Sequence, residues 1–173
     1  MPVQTRPATL RDPQGRTLDY LRLAVTDRCN LRCRYCMPAD GIDLVGHDDV
    51  LRFEEMERLC RVLVDQGVRK IRITGGEPLV RRGVVDFMAR LHALPQAPDI
   101  LLTTNGVLLR EHLDDLHTAG VRRINLSLDS LVPETFRTVT RRDALADILP
   151  LLDEIPAAGM GLKVNVVLLP GVP

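Results

Sequence analysis

Apolar and polar positions alternate over Leu21–Thr26 (LRLAVT), which predicts a strand. Phe53–Gln66 changes period: apolar residues at 53, 56, 59, 60 and 63 line one helical face, and Gly67 stops it. Lys70–Thr74 (KIRIT) alternates again and runs into Gly75-Gly76-Glu77-Pro78. Val84, Phe87, Met88 and Leu91 predict a helix over Val84–Leu94, ended by Pro95. Asp99–Thr103 reads as a short strand, and Leu109, Leu113 and Leu116 mark a helix closed by Gly120. Arg122–Ser127 and Leu162–Leu169 read as strands, with a helical stretch between them over about 134–158. An interior proline costs a helix about 3 kcal/mol. Pro150 and Pro156 therefore predict a kinked or broken helix, with Pro150 opening its second piece. Residues 1–20 read as an irregular polar lead-in and 38–50 as a loop.

The order is β-α-β-α-β-α-β-α-β over 21–173, an α/β class with parallel strands and right-handed crossovers. Cys29–Cys36, Gly75–Pro78, Thr103–Gly106 and Ser127–Ser130 each follow a strand's C-terminal end, the edge where parallel α/β folds bind ligands. Residues number 173, which suits one domain or part of one. Lys+Arg and Asp+Glu are both 23, and aromatics are 3%, which argues against a nucleic-acid surface or a base-stacking platform. No apolar run is long enough for a membrane span and the first residues are polar, so a cytoplasmic protein without membrane contact is expected.

Cysteines are the sharpest chemical signal. Cys29, Cys33 and Cys36 form C-x3-C-x2-C, and Cys60 stands apart on a helix, where a buried small hydrophobe is expected. Thiolates are soft ligands suited to zinc or to iron–sulfur clusters. A structural zinc needs a fourth ligand, for which Cys60 and the loop residue His47 are the candidates. Three cysteines on a [4Fe–4S] cluster leave one iron open for chemistry, and the spacing favours this reading. In Gly75-Gly76-Glu77-Pro78 the glycines permit close backbone approach by a ligand, and Glu77 can pair with an ammonium. Arginine supplies all but two of the basic residues. The exceptions, Lys70 and Lys163, are therefore candidates for sites that need a point charge.

The cysteine loop, with Tyr35 before its last cysteine, and the GGEP turn after the second strand resemble radical SAM enzymes. In that family three cysteines hold a [4Fe–4S] cluster, S-adenosylmethionine chelates the open iron, and its cleavage yields a 5′-deoxyadenosyl radical. LRLAVTDRCNLRCRYCMP, KIRITGGEPLVRRG, LLTTNG, RRINLSLDSL and LKVNVVLLPGV further resemble the GTP 3′,8-cyclases of molybdenum cofactor biosynthesis. That resemblance implies a partial TIM-like parallel barrel with Cys29, Cys33 and Cys36 as cluster ligands. It puts Tyr35, Gly76, Glu77 and Ser127 at S-adenosylmethionine, and Arg22, Arg72, Thr103 and Lys163 at GTP. Charge within strands agrees with a lining for a polyanion, and period two turns Arg72 away from the facing of Ile71 and Ile73. The implied partners are GTP, an electron donor and the downstream cyclic pyranopterin monophosphate synthase, and a homodimer is admitted.

Departures from the family accompany the match. The family's barrel has six strands and this chain shows five; a second cysteine triad, which in the family holds a second cluster at the guanine, and a Gly-Gly tail are missing, and Gly83 stands where an acidic residue is expected. A fragment that is inactive alone is the expectation. The alternatives are another radical SAM enzyme, such as a peptide-modifying maturase, or a non-catalytic iron–sulfur or zinc module.

Overall fold

In the computed structural model, residues 9–46 and 49–170 are described; His47 lies outside them. Five strands, β1 (Tyr20–Ala24), β2 (Lys70–Thr74), β3 (Asp99–Thr104), β4 (Val121–Ser127) and β5 (Gly161–Asn165), form one parallel sheet in the order β1-β2-β3-β4-β5. Each strand pairs with its successor, as βαβ crossovers of one hand require. The lead-in contains one antiparallel bridge, Arg11 to Thr17, before β1.

Helices α1 (Phe53–Asp65), α2 (Val84–His92), α3 (Leu113–Thr118), α4 (Pro133–Thr140), α5 (Leu145–Ile148) and α6 (Leu151–Ala157) fill the crossovers. Their apolar faces meet one face of the sheet. Ile71, Ile73, Ile100, Leu102, Ile124 and Leu126 are fully buried there with Phe87, Met88, Leu91 and Leu116. Cys60 joins this core with no exposed surface, as a small apolar side chain would. The opposite sheet face stays polar and carries Tyr20, Arg22, Arg72, Thr103, Arg123, Asn125 and Lys163.

The stretch 134–158 is broken, as its prolines predict, but into three helices, with one further break at 141–144 where no proline stands. Pro150 caps α6, where its missing N–H costs nothing, and Pro156 lies in the last turn. The last strand ends at Asn165 rather than 169, and Val166, Val167 and Leu168 continue as exposed chain. Gly83 begins α2 at φ 81°, a left-handed conformation that costs an acidic residue about 1–2 kcal/mol and glycine nothing. No helix among the described residues is long and apolar enough to cross a membrane.

Candidate active site

The cysteine loop leaves β1 and is held from two sides. Arg32 N–H donates to Thr140 O at 3.0 Å and Arg34 N–H to Val139 O at 2.9 Å, so the last carbonyls of α4 are capped by the loop. Arg141, in the left-handed region at φ 57°, donates Nη1–H to Arg32 O at 2.7 Å and to Met37 O at 3.1 Å. Within the loop, Cys36 and Met37 N–H both donate to Cys33 O, at 2.9 and 3.1 Å, a tight turn around the central cysteine.

Cys29 and Cys33 are partly buried and Cys36 is exposed. Burial, then the neighbouring Cys36, pushes the Cys33 thiol up to about 11. Cys36 is raised by burial and by Cys29. Cys33 and Cys36 therefore feel the charge of neighbouring thiols, which a positively charged inorganic group held at the loop would relieve. Among the described residues no three His, Cys, Asp or Glu side chains converge on a single metal ion. Three thiols on one loop suit three corners of a four-iron cube, whereas a structural zinc wants four protein ligands and Cys60 is buried in the core. The soft, mutually repelling donor set fits an iron–sulfur cluster.

Gly75 and Gly76 serve a different close approach from the one the sequence suggests. Gly76 N–H donates to Thr26 O at 2.7 Å and Glu77 N–H to Arg28 O at 2.8 Å, so the chain after β2 zips against the start of the cysteine loop. A Cβ on Gly75 would lie 2.5 Å from Thr26 O; one on Gly76 would collide with Arg28 O and reach Asp27 O at 2.8 Å. The protein's own backbone fills the side-chain position of both glycines.

Glu77 likewise differs from its expected role. It is 1% exposed, and its carboxylate accepts from Leu79 N–H at 3.1 Å, Thr104 Oγ1–H at 2.8 Å and Asn105 N–H at 2.7 Å. Those donors take the place of the ammonium. Burial, outweighing the hydrogen bonds, raises its pKa above 4.5. Asn105, which sequence reasoning passed over within its TTNG motif, then donates Nδ2–H to Asn30 Oδ1 at 2.7 Å and lies 3.8 Å from Cys29 Sγ.

Tyr35 donates its hydroxyl to Asp129 Oδ2 at 2.7 Å, and Asp129 Oδ1 accepts from Val167 N–H at 2.9 Å. Burial and this hydrogen bond raise the Tyr35 pKa and keep the hydroxyl protonated. Asp129 was also overlooked; its signal was its place two residues after Ser127 in the strand-end motif SLDS. Ser127 ends β4 on the same sheet edge, half-buried.

On the polar face, Arg22 pairs in register with Arg72. Arg72 is buried, hydrogen-bonded to the Tyr20 hydroxyl, to Leu102 O at 3.3 Å and to Thr103 Oγ1 at 3.4 Å. Arg22, Arg72, Thr103 and Lys163 line one cleft of about 370 Å³. The sequence-derived set thus falls on one surface next to the edge that carries the cysteine loop. A larger groove, about 650 Å³, lies on the outer flank between α2 and α3, away from the cysteines.

Comparison with known proteins agrees with this geometry. The profile of the Radical SAM superfamily matches residues 23–173. The GTP 3′,8-cyclase of Geobacter sulfurreducens is 51% identical over 164 residues, 94% of this chain and 50% of that protein. The GTP 3′,8-cyclase of Heliobacterium modesticaldum is 51% identical over 162 residues, 93% of this chain and 50% of its own. The chain spans about half the length of the curated relatives it matches. Among solved structures, methylornithine synthase superposes with a TM-score of 0.69 at 15% identity, covering 88% of this chain and 45% of that one. Native anSMEcpe with bound AdoMet gives 0.66 at 18% identity, covering 85% and 43%. At these identities the superpositions speak to the fold, a parallel α/β core of the radical SAM type.

Proposed function

The chain belongs to the Radical SAM superfamily, and from that premise we propose that it carries the radical-initiating part of a GTP 3′,8-cyclase, acting in molybdenum cofactor biosynthesis. We read residues 21–173 as an incomplete barrel domain led in by 1–20. The observation that carries the reading is the single polar cleft holding Arg22, Arg72, Thr103 and Lys163, on the sheet whose first strand leads into the cysteine loop. A maturase acting on a peptide has no need of a cationic lining at these positions.

Cys29, Cys33 and Cys36 would hold a [4Fe–4S] cluster, which together with S-adenosylmethionine would supply the one-electron, hydrogen-abstracting chemistry at this edge. Ser127, Tyr35 and the Gly76 carbonyl, which accepts no hydrogen bond among the described residues, stand along the same edge to receive the cofactor's polar groups. Glu77 supports that edge from within by fixing the Thr104–Asn105 turn. Arg22, Arg72 and Lys163 would neutralise the triphosphate of GTP, and Thr103 would donate a hydrogen bond to it. Held this way, the ribose would present its C3′ hydrogen for abstraction; C3′ would then bond to guanine C8, and the nucleotide radical so formed would take one electron from the electron donor and one proton at N7. The product, 3′,8-cyclo-7,8-dihydro-GTP, would pass to the cyclic pyranopterin monophosphate synthase. The setting is cytoplasmic with an electron donor, and the enzyme is a lyase.

These 173 residues contain one cysteine besides the tripod, Cys60 in the core, so a second cysteine-held cluster at the guanine has no ligands here. Reacting atoms must sit about 3–3.5 Å apart, and a 1 Å error can cost about a hundredfold. Anaerobic incubation with GTP, S-adenosylmethionine and reductant, read by mass spectrometry, tests the reading. Full-length protein is expected to give both 5′-deoxyadenosine and the cyclised nucleotide, and the 173 residues alone the first without the second. Full-length protein that cleaves the cofactor but neither binds nor cyclises GTP would contradict it.

A further inference from the structure

Parity along β4 changes at its start. Ile124 and Leu126 point into the core, so period two would send Arg122 to the core and Val121 to the polar face. Instead Val121 is fully buried and Arg122 is exposed. The cause is a register shift between Ile100 and Leu101: Ile100 pairs with Val121 but Leu101 with Arg123, so Arg122 is the extra residue of a bulge. Bulges of this kind re-aim side chains next to functional sites. Here the bulge lets Val121 enter the core while Arg123 keeps the polar face.

Arg123 thereby completes a row. Arg22 pairs with Arg72, Arg72 with Leu101, Leu101 with Arg123, and Arg123 with Gly161. At about 4.8 Å per strand the row spans about 14 Å from Arg22 to Arg123. Arg123 lines both the 370 Å³ cleft of Arg22 and Lys163 and an adjoining 400 Å³ cleft with Lys70 and Arg122, joining the two into one trough. Its side chain lies over Gly161, where a Cβ would stand 3.5 Å from its Nε. Among the described residues Arg123 forms no ion pair, and the one carboxylate in either lining is Asp99, paired in register with Lys70.

The next row adds a polar side chain to the same cleft. Asn125, two residues on, sits between Thr103 and Lys163 in the next row and is 9% exposed. Its Oδ1 is covered and has no hydrogen-bond partner among the described residues. With its oxygen end turned inward, the amide presents its NH2 end to the cleft.

We propose that Arg123 and Asn125 are further substrate-binding residues, Arg123 gripping the terminal phosphate of a nucleoside triphosphate and Asn125 donating its amide N–H to the same polyphosphate. The proposal rests on the reading of this face as the GTP site and deepens it by naming which phosphate is recognised. A planar guanidinium can hold a terminal phosphate through two parallel hydrogen bonds, which gives preference for chain length as well as charge.

The test is titration calorimetry of the full-length protein with GTP, GDP and GMP. Wild type should bind GTP more tightly than GMP. Arg123→Gln should weaken GTP about tenfold, the loss of one charge-assisted contact, and leave GMP unchanged; Arg123→Lys should recover part of the loss. Asn125→Ala should weaken GTP and GDP several-fold while thermal unfolding confirms a folded chain. Wild type that does not distinguish GTP from GMP would overturn the reading of the whole face. Wild type that does distinguish them, with Arg123→Gln binding GTP unchanged or losing GTP and GMP alike, would overturn this proposal alone.

Discussion

Asn105 donates its backbone N–H to the buried Glu77 carboxylate at 2.7 Å, so the loop after β3 hangs from the turn after β2. Through Asn30 the same asparagine reaches the cysteine loop, which ties the turns after β2 and β3 to the segment that carries the thiols.

Glu77→Gln should therefore destabilise the fold by about 1–3 kcal/mol, because one end of the new amide is a donor facing donors. The carboxyl's pKa is raised above its ordinary 4.5 by burial. Between 4.5 and the raised value the folded state holds the proton more tightly, so wild-type stability falls as pH rises through that window. The glutamine variant lacks this slope, and its deficit should shrink as pH rises. Urea unfolding of both proteins from pH 4 to 8 checks this; a deficit that grows with pH contradicts it.

Arg141→Ala removes the two hydrogen bonds to Arg32 O and Met37 O. Amide exchange over Arg32–Met37 should quicken by about tenfold or more, matching about 1.5–3 kcal/mol for charged hydrogen bonds. The core amides of β2 and β3 should keep their protection. Unchanged exchange in the loop would show that α4 does not brace it.

Gly76→Ala drives a methyl into the Arg28 carbonyl, against backbone that cannot rotate away. Loss of more than about 3 kcal/mol, or failure to fold, is expected, as for other severe steric clashes. Gly15→Ala meets nothing within 4 Å and bears only its positive φ of 80°, a cost of about 1–2 kcal/mol. Chemical denaturation ranks the pair; equal losses would mean the zipper between Gly76 and Thr26 is not under steric control.

Much of this was legible from the chain, for identifiable reasons. Strands such as KIRIT have one face in an apolar core and one in a polar cleft, so alternation reported Arg72 correctly against Ile71 and Ile73. Cysteine spacing found the loop because ligand chemistry is local in sequence. What escaped depends on tertiary register. The bulge at Arg122 leaves no mark in a pattern read strand by strand, and the end of β5 at Asn165 is set by the extent of β4 rather than by the apolar run LKVNVVLL. Glu77 reads from the sequence as a ligand-facing group because its donors, Thr104 and Asn105, come from another strand and the turn beyond it. Asp129 joins Tyr35 to Val167 across long separations, which composition cannot reveal.

Cys33→Ala should lose the reconstituted iron and sulfide, and Cys60→Ala should retain both, since Cys33 centres the loop and Cys60 is packed in the core. Iron and sulfide analysis after anaerobic reconstitution decides; equal loss in the two variants would overturn the three-thiolate assignment.

The central claim is that three thiols on one loop leave an iron open to S-adenosylmethionine. Electron paramagnetic resonance of the reduced, reconstituted protein, with and without saturating S-adenosylmethionine, tests it most directly. New nitrogen and oxygen ligands on one iron change the cluster's electronic environment, so the account predicts a shifted spectrum. A spectrum unmoved by the cofactor, or a colourless protein holding stoichiometric zinc, would contradict it.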